Sequence, residues 1–159
     1  MEKTMDEWMV FITDQQKNSI PRLHSIFRRQ MEAVVLAKME ARGYANFKVG
    51  HLVLLANIQP TGSISNEMAK LAQISKQGMN KVVQSLKEQG YLYTEDHPTD
   101  RRAQMIKFTE KGKVFRYDLY MAVQEIRADY ESAVGVAEVK QFEQTLSKLV
   151  AYGQKHLEE

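Results

Sequence analysis

Apolar positions recur along most of this chain at the i, i+3, i+4, i+7 interval of an amphipathic helix, and helix-ending residues separate the stripes. Thr4-Met5-Asp6-Glu7 has the form of a capping box: the threonine hydroxyl accepts from the first turn and the glutamate reaches back to the threonine N–H. Behind it, Met5, Trp8, Met9 and Ile12 make one apolar stripe. Pro21 suits a helix start. The next stripe, Leu23, Ile26, Phe27, Met31, Val34, Val35 and Met39, runs to Gly43, which suits the position just past a helix end. Asn46 is placed to cap a third helix with Val49, Leu52, Val53 and Ala56 inside, stopped by Pro60-Thr61-Gly62. Two further helices are predicted over 66–72 and 75–89, the second ended by Gly90.

The period then changes. Tyr91 to Glu95 and Met105 to Phe108 are short, rich in aromatic or apolar residues, and flank the polar loop His97-Pro98-Thr99-Asp100-Arg101-Arg102, which predicts a hairpin. Thr109 caps a long helix with Phe115, Leu119, Ala122, Ile126, Tyr130 and Ala133 on one face, and Gly135 breaks it. The last helix carries Val139, Phe142, Leu146, Leu149 and Val150, close to a heptad seam. The fold class is therefore mainly α with a small β-hairpin wing, about six helices in all. Each end of the chain supplies an apolar stripe that the middle does not obviously use. Left in water, such stripes form large exposed patches. They predict that the two ends pack together, within the chain and against a second copy.

Composition narrows the class. The chain has 159 residues, 43% hydrophobic and 26% charged, which is ordinary globular material for about one domain. The longest apolar runs, Ala33 to Ala37 and Leu52 to Ala56 among them, fall far short of the ~20 residues that span a bilayer, so no membrane partner is expected. Asp6, Glu7 and Asp14 are wrong for a signal peptide. With no cysteine, disulfides and thiolate metal sites are excluded and a cytoplasmic setting is expected. The four histidines share no metal-ligand spacing, and no phosphate-binding glycine loop or nucleophile elbow is present. Neither an enzyme nor a cofactor is expected.

A net charge of +2 does not suggest nucleic acid, but its distribution does. Residues 1–74 carry nine basic and seven acidic side chains, residues 75–113 eight and five, and residues 114–159 five and eight. The middle is the basic part. There, helix, short turn, helix and hairpin follow in the order of a winged helix-turn-helix, with Leu71-Ala72-Gln73-Ile74-Ser75 as the turn. On the second helix Met79, Val82, Val83 and Leu86 face inward, while Ser75 caps it. The other face carries Lys76, Gln77, Asn80, Lys81 and Gln84, with no acid until Glu88. Lysine donates to guanine or phosphate, and glutamine and asparagine can pair bidentately with adenine. A solvated helix face usually mixes Glu with Lys, and this one does not. Gly78 inside the helix costs about 1 kcal/mol against alanine, which close approach of another backbone, such as DNA, would explain. At the wing tip, Arg101 and Arg102 can enter the negative potential of a narrow minor groove, with Asp100 beside them.

Four strings carry a family resemblance: Ser75-Lys76-Gln77, Leu86-Lys87-Glu88-Gln89-Gly90-Tyr91-Leu92, Pro98-Thr99-Asp100-Arg101-Arg102-Ala103 and Phe108-Thr109-Glu110-Lys111-Gly112. Together they resemble the MarR family of bacterial transcriptional regulators over roughly residues 63–113. The resemblance implies an obligate dimer built from the terminal helices, each protomer presenting a winged helix to half of a pseudo-palindromic double-stranded operator. It divides the chain into N-terminal dimerisation helices (1–45), a DNA-binding domain (46–112) and C-terminal dimerisation helices (113–159). It matches the recurrent wing-tip acid and arginine to Asp100 and Arg102. Gly78 and Met79 depart from the more usual residues of the recognition helix, which bears on base preference. It also implies a small, often aromatic, anionic effector that releases DNA, as from a repressor. Candidate lining residues are Trp8, Phe11, Phe27, His51, Tyr117 and Tyr120, with Arg28 as anion partner. The alternatives are a winged-helix protein-interaction module without DNA binding, and a constitutive DNA-binding protein without an effector.

Overall fold

In a computed structural model, which describes residues 3–72, 74–99 and 104–157, the local signals resolve into seven helices and three short strands among the described residues. In chain order these are α1 (Met5–Gln16), α2 (Ile20–Ala41), α3 (Val49–Asn57), β1 (Ser63–Ile64), α4 (Ser65–Leu71), α5 (Lys76–Glu88), β2 (Leu92–Asp96), β3 (Gln104–Phe108), α6 (Glu110–Val134) and α7 (Val136–Leu157). These seven helices are the seven stretches that the apolar pattern marks, with slightly different bounds. The wing hairpin gains a third strand, because β1 pairs antiparallel with β3 (Ser63 opposite Ile106) and makes the order β1-β3-β2.

Helix starts follow the side chains that can satisfy their free N–H groups. The Thr4 capping box forms in both directions, Glu7 N–H donating to Thr4 Oγ1 (3.2 Å) and Thr4 N–H to Glu7 Oε2 (2.7 Å). Ser75 and Thr109 accept from Gly78 and Gly112 N–H, each at 3.0 Å. Asn46 does not cap α3. It sits in the left-handed region at φ 68°, and the helix starts three residues later. There His51 Nδ1 accepts the backbone N–H of Lys48 just before the helix (3.2 Å), while no side chain caps its first turn.

The core gathers on the winged segment and on α6. Met39, Leu54, Leu55, Ile58, Met79, Leu86, Ile106 and Phe115 are fully buried. Phe47 stacks on Phe115 with ring centroids 4.5 Å apart, and Tyr44 and Tyr91 meet Phe115 edge-on at 4.7 and 5.3 Å. This aromatic knot joins the end of α2, the entry to α3, the start of the wing and α6. Truncating the ring at Phe115 would remove the shared surface, a loss of about 3–5 kcal/mol. Two positions expected inside are outside: Ala56 on α3 and Ala133 on α6 are exposed. On α3 the inward face is instead His51, Leu52, Leu54, Leu55 and, just past the helix, Ile58, one step round from the stripe expected.

Two joints set the position of the winged segment. At the first, Thr109 Oγ1 donates to Gly90 O (2.7 Å), Thr109 N–H to Tyr91 O (3.1 Å), and Lys111 Nζ to Gln89 O (2.8 Å). The carbonyls that α5 leaves free at its end are thus taken up by the first turn of α6. At the second, Tyr44 donates to the Asp118 carboxylate, Arg116 to Ile58 O, and Lys38 and Arg42 both pair with Glu125. Burial and then the Asp118 hydrogen bond push the Tyr44 hydroxyl up to about 12.

The terminal helices are covered least. Every described residue of α1 is exposed, including Trp8, Phe11 and Ile12. On α7 Val139 is buried while Phe142, Leu146, Leu149, Val150 and Tyr152 are exposed. Where α7 folds back on α6, Arg127 joins Glu143 (2.9 Å) and Phe27 of α2 meets Phe142 at 5.5 Å. No helix among the described residues is long and apolar enough to cross a membrane.

Candidate nucleic-acid interface

The outward face of α5 stands free. Met79, Val83 and Leu86 are buried beneath it, and Ser75, Lys76, Gln77, Asn80, Lys81 and Gln84 are all exposed. The six residues expected to meet DNA from this helix are therefore brought to one accessible surface at its N-terminal two-thirds. The positive end of the helix dipole lies at the same end, where anionic phosphate is favoured. Gly78 has a local explanation: a Cβ there would lie 3.2 Å from Ser75 Oγ, the atom that caps the helix.

Beside α5 lies a cleft of about 540 Å³, bounded by the start of α4 and by the wing strands. Lys76, Asn80, Gln84 and Lys87 form its α5 side, and Ser65 and Thr94 face them. Three hydrogen bonds cross or edge this surface. Ser65 Oγ donates to Asn80 Oδ1 (2.8 Å), Gln84 Nε2 donates to Glu88 Oε1 (2.9 Å), and Lys87 Nζ donates to Thr94 Oγ1 (2.8 Å). The last bond ties α5 to the wing. On the wing itself Lys107 pairs with Glu95 across the two strands, and that hydrogen bond raises the lysine's pKa. Ser65, Lys87 and Thr94 escaped the sequence reading. Each acts through a neighbour distant in the chain, and no local spacing marks them.

Asp100, Arg101 and Arg102 lie outside the described residues. Among the described residues on either side, Asp96 and Gln104 face each other across the antiparallel pair β2 and β3.

The proposed effector residues fall in four places. Trp8 and Phe11 meet edge-on at 5.5 Å on the exposed α1, with Lys3 Nζ over the Phe11 ring at 3.7 Å. Phe27 packs against Tyr130 (5.7 Å) and Phe142, while Arg28, one residue on, pairs with Glu32 (2.7 Å) on the surface of α2. Tyr117 and Tyr120 are exposed on α6. His51 is buried at 8% exposure, edge-on to Phe47, and burial and then the charge of Lys48 lower its pKa. No group of three potential metal ligands is found among the described residues.

A basic recognition helix after a short turn, followed by a hairpin, defines a winged helix-turn-helix protein. A family model described as the MarR family matches residues 46–103. Solved structures align with most of the chain. A MarR transcriptional regulator from Methanosarcina mazei superposes at a TM-score of 0.75 and 20% identity, over 86% of this chain and 96% of that one. MarR of E. coli in its apo form gives 0.70 and 16%, over 82% and 96%. CouR from Rhodococcus jostii, bound to p-coumaroyl-CoA, gives 0.68 and 20%, over 84% and 92%. Residues 46–103 thus match the MarR family model, and the chain shares the fold of these solved structures over the aligned length.

Proposed function

We propose that this protein is a transcriptional regulator that binds a pseudo-palindromic operator in double-stranded DNA as a homodimer, and that it acts as a repressor released by a small aromatic or anionic effector. The observation that carries the reading is the exposed α5 face, where Lys76, Gln77, Asn80, Lys81 and Gln84 stand together with no acidic residue before Glu88. Lysines there position the helix on phosphates, and the amides meet base edges. Asp100, Arg101 and Arg102 at the wing tip reach the adjacent minor groove in this reading.

The dimer is supported by the uncovered apolar side chains of α1 and α7, which water does not tolerate as a continuous patch. Residues 1–45 and 113–159 then form the dimerisation region and 46–112 the DNA-binding domain. Two recognition helices on one DNA face would stand ~34–36 Å apart, one helical turn. The effector is supported by the aromatic acyl-CoA held by CouR, a protein of the same fold. Control would be a population shift toward a spacing unsuited to DNA.

Retention on a DNA column at moderate salt tests the reading. The wild type is expected to be retained, and the double variant Lys76→Glu, Lys81→Glu to flow through while melting at an unchanged temperature. Equal retention of the two would overturn DNA binding by this surface and favour a protein-interaction role for the winged helix.

A further inference from the structure

Asn80 and Gln84 are about one turn apart on α5, so they share one face, about 6 Å apart along the helix axis. A free side-chain amide offers an acceptor and a donor side by side, the arrangement that pairs with adenine. Neither amide here is free. The Ser65 hydroxyl already occupies Asn80 Oδ1, which turns Nδ2 and its two hydrogens away from α4. Glu88 already occupies Gln84 Nε2, which leaves Oε1 as the end turned outward. The two bonds have opposite polarity.

We infer that Ser65 and Glu88 bias the base preference of α5, by holding the Asn80 amide with its Nδ2 donors outward and the Gln84 amide with its Oε1 acceptor outward. This rests on the DNA-binding reading above and deepens it. Outward Nδ2 donors fit guanine, whose O6 and N7 are both major-groove acceptors, better than the mixed donor and acceptor edge of adenine. An outward Oε1 fits an exocyclic amino group, that of cytosine or adenine. The Glu88 carboxylate beside it adds repulsion toward the acceptor edges of guanine and thymine. Ser65 and Glu88 are positioning residues: Ser65 is partly covered at the start of α4 and acts through Asn80, and Glu88 acts through Gln84.

The test is selection of bound duplexes from a random pool by the wild type, Ser65→Ala, Asn80→Asp and Glu88→Ala, with sequencing of the half-sites. Wild-type sites are expected to hold guanine at one position and cytosine or adenine at a neighbouring one. Ser65→Ala should move the first from guanine to adenine by about tenfold in relative enrichment, the size of one bidentate pair. Asn80→Asp, an acceptor-only side chain of nearly the same shape, should move it to cytosine. Glu88→Ala should narrow the second position to adenine. A merely structural role for Ser65 would lower affinity for all sites alike, so base preference separates the two. Unchanged preference in Ser65→Ala and Glu88→Ala, with DNA still selected by the wild type, overturns this inference and leaves DNA binding standing. No selection of DNA by the wild type overturns both.

Discussion

A methyl group on Gly112 would lie 2.0 Å from the carbonyl oxygen of Tyr91. The contact is forced by the joint between wing and α6, where Thr109 takes up the carbonyls of Gly90 and Tyr91 and the next turn passes directly over them. Backbone on both sides leaves nothing soft to yield. Gly112→Ala is therefore expected to destabilise the fold by ~3 kcal/mol or more, near the upper end for overpacking. Gly43 makes the contrast: its φ is 87°, yet a Cβ there meets nothing within 4 Å. Gly43→Ala should cost only the left-handed strain, about 1 kcal/mol. Urea melts of the two variants give the ranking.

His51 predicts a pH dependence of stability. Its folded pKa lies below 6.5 because burial disfavours the charged ring. Between that folded value and 6.5 the unfolded chain binds more protons than the native one, so stability rises with pH in that window and is flat above it. Cooling of acid is not needed to see it: thermal melts from pH 7.5 down to 5 should show a falling melting temperature below about pH 6.5. His51→Gln, whose amide oxygen can still accept the Lys48 N–H, should remove the histidine's share of that slope.

Leu149 and Val150 on α7 are 54% and 51% exposed. If the terminal helices are the dimer contact, Leu149→Glu places a charge where a partner's apolar surface must be desolvated. Sedimentation is expected to show a shift from dimer to monomer, with operator affinity falling in parallel and the melting of the winged segment retained. A monomeric wild type would contradict the assembly.

Lys81→Ala should weaken DNA binding and reduce the slope of log affinity against log salt by about one, as loss of one phosphate contact requires. Arg102→Ala should weaken operator binding as well, with the loss concentrated on sites whose flanking minor groove is narrow. A salt series of binding isotherms on one operator and on a variant of it with G·C flanks separates the two effects.

The caps were legible because they are local. Thr4 with Glu7, Ser75 with Gly78 and Thr109 with Gly112 each close over three residues, so spacing alone exposes them. The inward α5 stripe was legible for the same reason, through its period. Strand β1 was not: two residues carry no alternation, and Ser63 and Ile64 are strand only because Ile106 and Met105 lie alongside. Asn46 misled because its residue type suits a cap, whereas the backbone there turns left-handed and the helix begins three residues later, at Val49. The site shows the same division. Lys76, Asn80, Lys81 and Gln84 follow from one helix face, but Ser65 enters through a bond spanning fifteen residues that no motif announces.

The 25 residues of α6 make a rod of about 37 Å. Thr109 and its first turn hold the Gly90 and Gln89 carbonyls just past the end of α5, so the rod and α5 meet in one hydrogen-bonded joint. A tilt of about 5° at one end then sweeps the other through about 3 Å, a figure set by helix length alone. A small tilt of α6 among the terminal helices would thus move the exposed face of α5 by several ångströms.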